Sequence, residues 1–288
     1  MFHDFSNYPI SDKEYGGSEK KLGIIIDGFY YMLKFQKKTV FEYRFNHVSE
    51  YIGCHIYSML GFDSQDTYLG TYNNEQVVAC KDFVIDGFQF VPFNDVGESS
   101  LEIDKEKYQY SYKDIVSLLE ANRKITNIKE TVNEFFDIYI VDALLGNFDR
   151  HGANWGFLKK NNKYQLAPVY DNGSCLYPAM VDEKQMETII NSEEEINQRI
   201  YKFPTSQIKL NGKKSSYFEV INSLKYDECN KALMRIYPKI NIEEINELID
   251  DIECISEIHK NFYKTMIYNR YKKIIENSYK KLKEKQYG

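Results

Sequence analysis

The chain has 288 residues, enough for a full hydrophobic core in one large domain or two lobes, and its 43% hydrophobic and 28% charged residues exclude wholesale disorder. A net charge of −6 argues against a chain-wide nucleic-acid or membrane footprint, and no stretch approaches the roughly 18–20 apolar residues of a membrane span. The five cysteines (Cys54, Cys80, Cys175, Cys229 and Cys254) form no C-x-x-C pair, and Cys54-His55 has no companion at ligand spacing. Reduced, buried thiols in a cytoplasmic protein are therefore expected, rather than zinc or disulfides.

In chain order, the first third reads as β-rich with one helix. Leu22–Ile26 and Phe29–Lys34 are apolar, β-prone runs joined by Asp27-Gly28, a dipeptide suited to a two-residue hairpin turn. Asn46–Leu60 has helical periodicity and a stop at Gly61. Thr67–Tyr72 and Gln76–Val84 read as strands around Asn73-Asn74. The pattern then turns helical: Ser111 with Asp114 resembles a capping box opening a helix over 112–123, and Lys129–Leu145 repeats apolar residues every three to four positions. From Glu183 onward the pattern is mostly helical, broken near Pro204 and Pro238. The fold class expected is α+β: a small β-rich lobe with one helix (residues 1–85) followed by a larger, mostly helical lobe (residues 86–288).

The chemistry concentrates in residues 145–176. The polar loop Asn147–Asn154 follows the long helix, and two short strands, Trp155–Leu158 and Tyr164–Ala167, follow around Asn161-Asn162. Residues before the first strand of a hairpin and after the second lie at the same open end, so Asn154 and Asp171 are expected near each other, with Asp149 on the adjoining loop. Oxygen donors of this kind suit a hard cation such as Mg2+, and a further Asp can accept a proton from an attacking hydroxyl. Asp149-x-x-x-x-Asn154 has the separation of a kinase catalytic loop, and Asp171-Asn172-Gly173 takes the place of D-F-G. Upstream, Gly16-Gly17-Ser18 suits a loop whose backbone N–H groups approach phosphate, Lys34 ends an apolar strand, and Glu50 on the next helix is within reach of it.

The segments G-N-F-D-R-H-G-A-N and L-A-P-V-Y-D-N-G-S resemble the catalytic and metal-binding motifs of HipA-like serine/threonine kinases. The resemblance implies a two-lobed protein-kinase-like fold that transfers the γ-phosphate of ATP, with Mg2+, to a hydroxyl of a protein substrate. By position it implies Asp149 as catalytic base with His151 beside it, and Asn154 and Asp171 as metal ligands. Gly16, Gly17, Ser18, Lys34 and Glu50 would serve the nucleotide phosphates. Adenine would meet backbone groups within Val78–Phe83, taken here as Lys81 and Phe83. Ser18 is the candidate autophosphorylation site. The start of the phosphate loop near Gly16 is similar to the compact form of the family, without the extra N-terminal subdomain. The family also implies a toxin or effector role, an antitoxin-like partner, and export as the alternative to a cytoplasmic location, with no direct nucleic-acid or membrane partner. Two other readings fit the same loop: a phosphoinositide-like lipid or small-molecule kinase, and a nucleotide-binding pseudokinase.

Overall fold

Among the described residues four tight hairpins punctuate the chain, each turned by residues that accept left-handed backbone. Asp27-Gly28, Asn73-Asn74, Asn161-Asn162 and Asn211-Gly212 have φ of 49° and 82°, 50° and 65°, 51° and 59°, and 50° and 75°. Positive φ at both central residues is the geometry whose twist matches the flanking strands. The computed structural model describes residues 2–16, 19–40, 42–85, 87–96, 111–121 and 125–287.

The first two hairpins build a five-stranded sheet. Its strands are β1 (His3–Asp4), β2 (Lys21–Ile26), β3 (Phe29–Phe35), β4 (Thr67–Tyr72) and β5 (Glu75–Lys81), in the order β1-β4-β5-β3-β2. All pairings are antiparallel except β1 with β4. Alternation along the strands divides the sheet into two faces. Ile24, Leu33, Phe35, Val77 and Ala79 pack with Phe5 into a small apolar cluster on one face. Lys34 and its cross-strand partner Val78 point to the other, toward helix α1 (Asn46–Met59). Val78 and Cys80 there join the main core, which continues through Val48, Ile52 and Ile56 of α1 into the helical part.

The sheet β6 (Gln89–Pro92), β7 (Gly156–Lys160) and β8 (Lys163–Leu166), with the short α2 (Phe93–Val96), adjoins the polar loop Asn147–Asn154. Helices α3 (Tyr112–Ala121) and α4 (Ile128–Leu145) follow the expected periodicity. Ser111 and Asp114 cap α3 reciprocally, and Asn127 caps α4 by accepting from the Glu130 amide. Gly146, at φ 63°, ends α4 and turns the chain into the polar loop. The remainder consists of α5 (Glu183–Ile190), α6 (Glu193–Tyr201), α7 (Tyr217–Ser223), α8 (Asp227–Ile236), α9 (Ile242–Asp250) and α10 (Glu257–Arg270). Through a π-helical turn at Tyr271–Glu276, α10 runs on into α11 (Asn277–Tyr287).

Two expectations need correction. The strand read over Gln76–Val84 ends at Lys81, because Asp82 turns away to donate its amide to Tyr30 O and to cap Val84 N with its carboxylate. The helical tail is interrupted by a hairpin, β9 (Thr205–Leu210) and β10 (Lys213–Ser216). Its signal was the dipeptide Asn211-Gly212, flanked by lysines that obscure the alternation.

Candidate active site

Helix α1 and strand β3 meet at one buried ion pair. The Lys34 ammonium donates to Glu50 Oε2 at 2.9 Å and to Asp171 Oδ1 at 3.0 Å, joining sheet, helix and the loop after β8. Burial alone would strip the proton from Lys34, but the two carboxylates reverse this and push its pKa well above the ordinary lysine value. Burial likewise works against the Asp171 carboxylate. The Lys34 charge and hydrogen bond, with Arg150, outweigh it and hold the carboxyl below its usual range. Asp171 sits at φ 57°, a left-handed conformation of the kind found at functional sites.

The other Glu50 oxygen, Oε1, accepts the Asn172 amide at 3.0 Å. Where a D-F-G motif would insert an aromatic ring, Asn172 is fully buried and polar. Its Nδ2 donates to Cys54 Sγ at 3.2 Å, and its Oδ1 accepts from Arg150 Nη2 at 2.5 Å. Gly53 makes room for it: a Cβ there would lie 2.4 Å from Asn172 Cβ.

Beneath the polar loop, Asp142 of α4 is enclosed. Its carboxylate accepts from Arg150 Nε at 3.0 Å and Nη2 at 3.1 Å, from Asn147 Nδ2 at 2.9 Å and from Tyr57 OH at 2.8 Å. Arg150 Nη1 in turn binds the carbonyls of Asn154 and Tyr170. One guanidinium thus clamps Asn154, two residues before β7, to Tyr170, the residue before Asp171, drawing the two hairpin ends together. The loop is fixed further by Asn147 Oδ1, which accepts the Asp149 amide at 3.0 Å, and by Asn154 Nδ2, which donates to Asp149 O at 2.7 Å. That bond leaves the Asn154 side-chain oxygen available as an acceptor.

Asp149 keeps a partly exposed carboxylate, with His151 Nε2 3.8 Å away. Burial raises its pKa and the nearby Asp171 adds to this, against the opposing charges of His151, Lys214 and Arg150. His151 also accepts the Ala153 amide through Nδ1, an orientation that shapes the loop. Ahead of β2, Gly16 O accepts from Lys21 Nζ at 2.6 Å, and Lys21 is the cross-strand partner of Lys34. Tyr15 OH donates to Asp82 Oδ2, pinning this segment to the end of β5. Gly17 and Ser18 lie outside the described residues. Lys81 is already committed: its amide donates to Asp66 O and its carbonyl accepts from Gln65 Nε2. Phe83 lies beyond the strand, its ring against Phe90 and Tyr170, the residue before Asp171.

Sequence reasoning missed Asp142, Asn147, Asn172 and Tyr57. Asp142 had a signal, a lone carboxylate in the apolar run Ile138–Leu145, because a buried charge needs a partner. Among the described residues no three His, Cys, Asp or Glu side chains form a metal cluster. The ionised Asp171 and the Asn154 oxygen are hard donors that fit Mg2+, whose shell is ordinarily completed by water and phosphate oxygens.

A buried strand lysine paired with a helix acid, facing a D-x-x-x-x-N loop and a second aspartate, defines a kinase. The comparisons place it further. The sequence matches the HipA-like C-terminal domain over residues 14–269, so the chain belongs to that family. It is 37% identical over 276 residues to the serine/threonine-protein kinase CtkA of Helicobacter pylori, covering 93% of this chain and 84% of the relative. The crystal structure of the proinflammatory kinase CtkA superposes with a TM-score of 0.92 at 36% identity, covering 99% of this chain and 98% of that one. HipA of Shewanella oneidensis, solved with HipB and operator DNA, shares the fold at a TM-score of 0.60 and 16% identity, over 96% of this chain and 68% of that one. The chain is accordingly an enzyme of the kinase class. No helix among the described residues is long and apolar enough to cross a membrane.

Proposed function

We propose that the chain is an ATP- and Mg2+-dependent serine/threonine protein kinase. The observation that carries this reading is the Lys34 ammonium held between Glu50 and Asp171, because it links the phosphate-binding and metal-binding sides of the cleft through one charge. Asp149 accepts the proton of a substrate hydroxyl as its oxygen attacks the γ-phosphorus. The bond from that phosphorus to the bridging oxygen breaks, and ADP leaves with the electron pair. Lys34 binds the phosphates, and Glu50 orients it. Asn154 and Asp171 would hold Mg2+, which when bound neutralises charge on the phosphate oxygens. Gly16 and Gly17 let backbone amides approach those oxygens. Adenine is read by backbone groups just past β5, at Phe83 rather than at Lys81, whose own groups are engaged. His151 shapes the loop and moderates Asp149. The division into two lobes near residue 85, the two sides of one cleft, belongs to the same reading.

Incubation with labelled ATP and separate protein and lipid pools tests the assignment. Wild type is expected to label protein on serine or threonine in the presence of Mg2+. Asp149→Asn should lose transfer by about 10²–10⁴-fold with nucleotide affinity retained. Label confined to lipid refutes the protein-kinase reading, and nucleotide binding without transfer by wild type supports the pseudokinase. Autophosphorylation at Ser18 is checked by intact mass and peptide mapping after ATP incubation; phosphate found only elsewhere removes that switch. Whether a partner resembling an antitoxin binds the chain is open to pull-down with the folded protein.

A further inference from the structure

The hairpin that sequence reasoning missed carries Lys209 and Lys214 on the face turned to the loop before Asp149, with Lys213 on the opposite face. Lys209 and Lys214 are directly opposite each other across β9 and β10. Like charges in that position destabilise a hairpin, so the pairing calls for a reason. Lys213 and Lys214 are exposed and Lys209 half-buried, and none of the three makes an ion pair among the described residues. The chain as a whole carries −6, so this is a local reversal of its field.

The hairpin is also fixed against the catalytic loop. Gln207 lies two residues from Lys209 on the same face of β9, and its Nε2 donates to Phe148 O at 2.7 Å, one residue before Asp149. Tyr217, just after β10, donates its hydroxyl to Asn147 O at 2.6 Å. The opposite face, Ser206 and Ile208, is buried, which leaves the lysine face as the one turned to the loop and solvent. The Lys214 charge is close enough to Asp149 to offset part of the effect of burial on that carboxyl. On the outer side β10 has no strand partner among the described residues, so its edge is open to an incoming segment.

We propose that Lys209 and Lys214 select the protein substrate, favouring a segment with anionic side chains close to the acceptor hydroxyl. This rests on the kinase reading for its meaning, but the binding surface itself does not. Unpaired lysines on a preformed hairpin gain a counter-charge when such a segment docks, and the net acidity of the rest of the chain discourages it from binding elsewhere.

The test separates binding from transfer. Fluorescein-labelled peptides with one serine flanked by Glu, by phosphoserine, by Gln or by Lys are titrated into the wild-type protein and into Lys209→Glu/Lys214→Glu, with a single-stranded RNA of equal negative charge as a further probe. The Glu and phosphoserine peptides should bind wild type at least about tenfold more tightly than the Gln peptide at low salt, with the advantage shrinking as salt rises. The double variant should lose that advantage and keep its affinity for an ATP analogue. A stronger phosphoserine than Glu preference identifies a primed substrate. Equal binding of Glu and Gln peptides, an acidic preference that survives in the double variant, or RNA bound more tightly than either anionic peptide overturns the proposal. Transfer to the bound peptides is read separately: anionic peptides that bind at the hairpin but receive no phosphate refute the proposed activity and leave the surface standing.

Discussion

Of the cations buried among the described residues, Arg150 and Lys34 lie closest to Asp171, and they are held in opposite ways. Arg150 is satisfied on every side by Asp142, Asn172 and two carbonyls, all of them fixed protein groups. Lys34 is buried just as deeply, but one of its two partners, Asp171, keeps 38% of its side chain open to the cleft. The first arrangement is closed and has nothing left to bind. The second leaves one carboxylate partly open to solvent. Burial of charge alone thus does not mark a site; an unsaturated partner does.

The difference can be broken first at the closed cluster. Asp142→Ala strands a buried guanidinium and should cost about 3–5 kcal/mol, the usual effect of removing one partner of a buried pair. At roughly 2–4 °C per kcal/mol for a chain of this size, calorimetry should show the melting temperature falling by about 6–20 °C. The open cluster should behave otherwise. Replacing the deeply buried pair, Lys34→Met with Glu50→Gln, leaves Asp171 with 38% of its side chain exposed and should change stability by only about 1–2 kcal/mol in chemical unfolding. Phosphate transfer by the same double variant should fall by about 10² or more. Equal losses of stability in the two experiments would erase the distinction.

The seam between the clusters gives a smaller effect. Gly53→Ala forces a Cβ against the Cβ of Asn172 and should cost about 1–3 kcal/mol, with Asn172→Gly in the same chain relieving part of it. The smallest effect is a pH dependence with two signs. The Asp171 carboxyl lies below its unfolded value of 3.8, so its contribution is present above that pH and is lost as pH falls through the folded value. Asp149 is raised above 3.8, so its contribution is present in acid and is lost as pH rises through the folded value. Melting temperatures measured from about pH 2 to 6 should therefore decline less steeply in acid for Asp171→Asn than for wild type, and more steeply for Asp149→Asn.

How much of this was legible depended on sequence distance. Asp27-Gly28, Asn73-Asn74 and Asn161-Asn162 announced their hairpins because two-residue turns are local, and the apolar spacing of α4 announced a helix for the same reason. The spacing from Asp149 to Asn154 was visible, as was the aspartate after the next hairpin. What the spacing could not show was that Lys34, 137 residues before Asp171, would touch it. Nor did it show that Asp142, concealed in an apolar helix, would organise the loop through Arg150. Lys81 was assigned by the resemblance alone, and its backbone amide and carbonyl are taken up by Asp66 and Gln65. The hairpin at Asn211-Gly212 had the right turn residues, but its lysines look like a solvated helix face until the strands are paired.

Asn172 has a pharmacological consequence. In a kinase whose corresponding residue is an aromatic ring, swinging that ring out opens an apolar cavity that an inhibitor can fill. Here the same movement would break bonds to Glu50, Cys54 and Arg150 together and leave one N–H of the buried Arg150 Nη2 without its acceptor. Each such loss is of order 1–3 kcal/mol. Compounds that depend on that displaced state should bind this enzyme poorly, whereas compounds that accept the cleft as it stands should not pay that penalty.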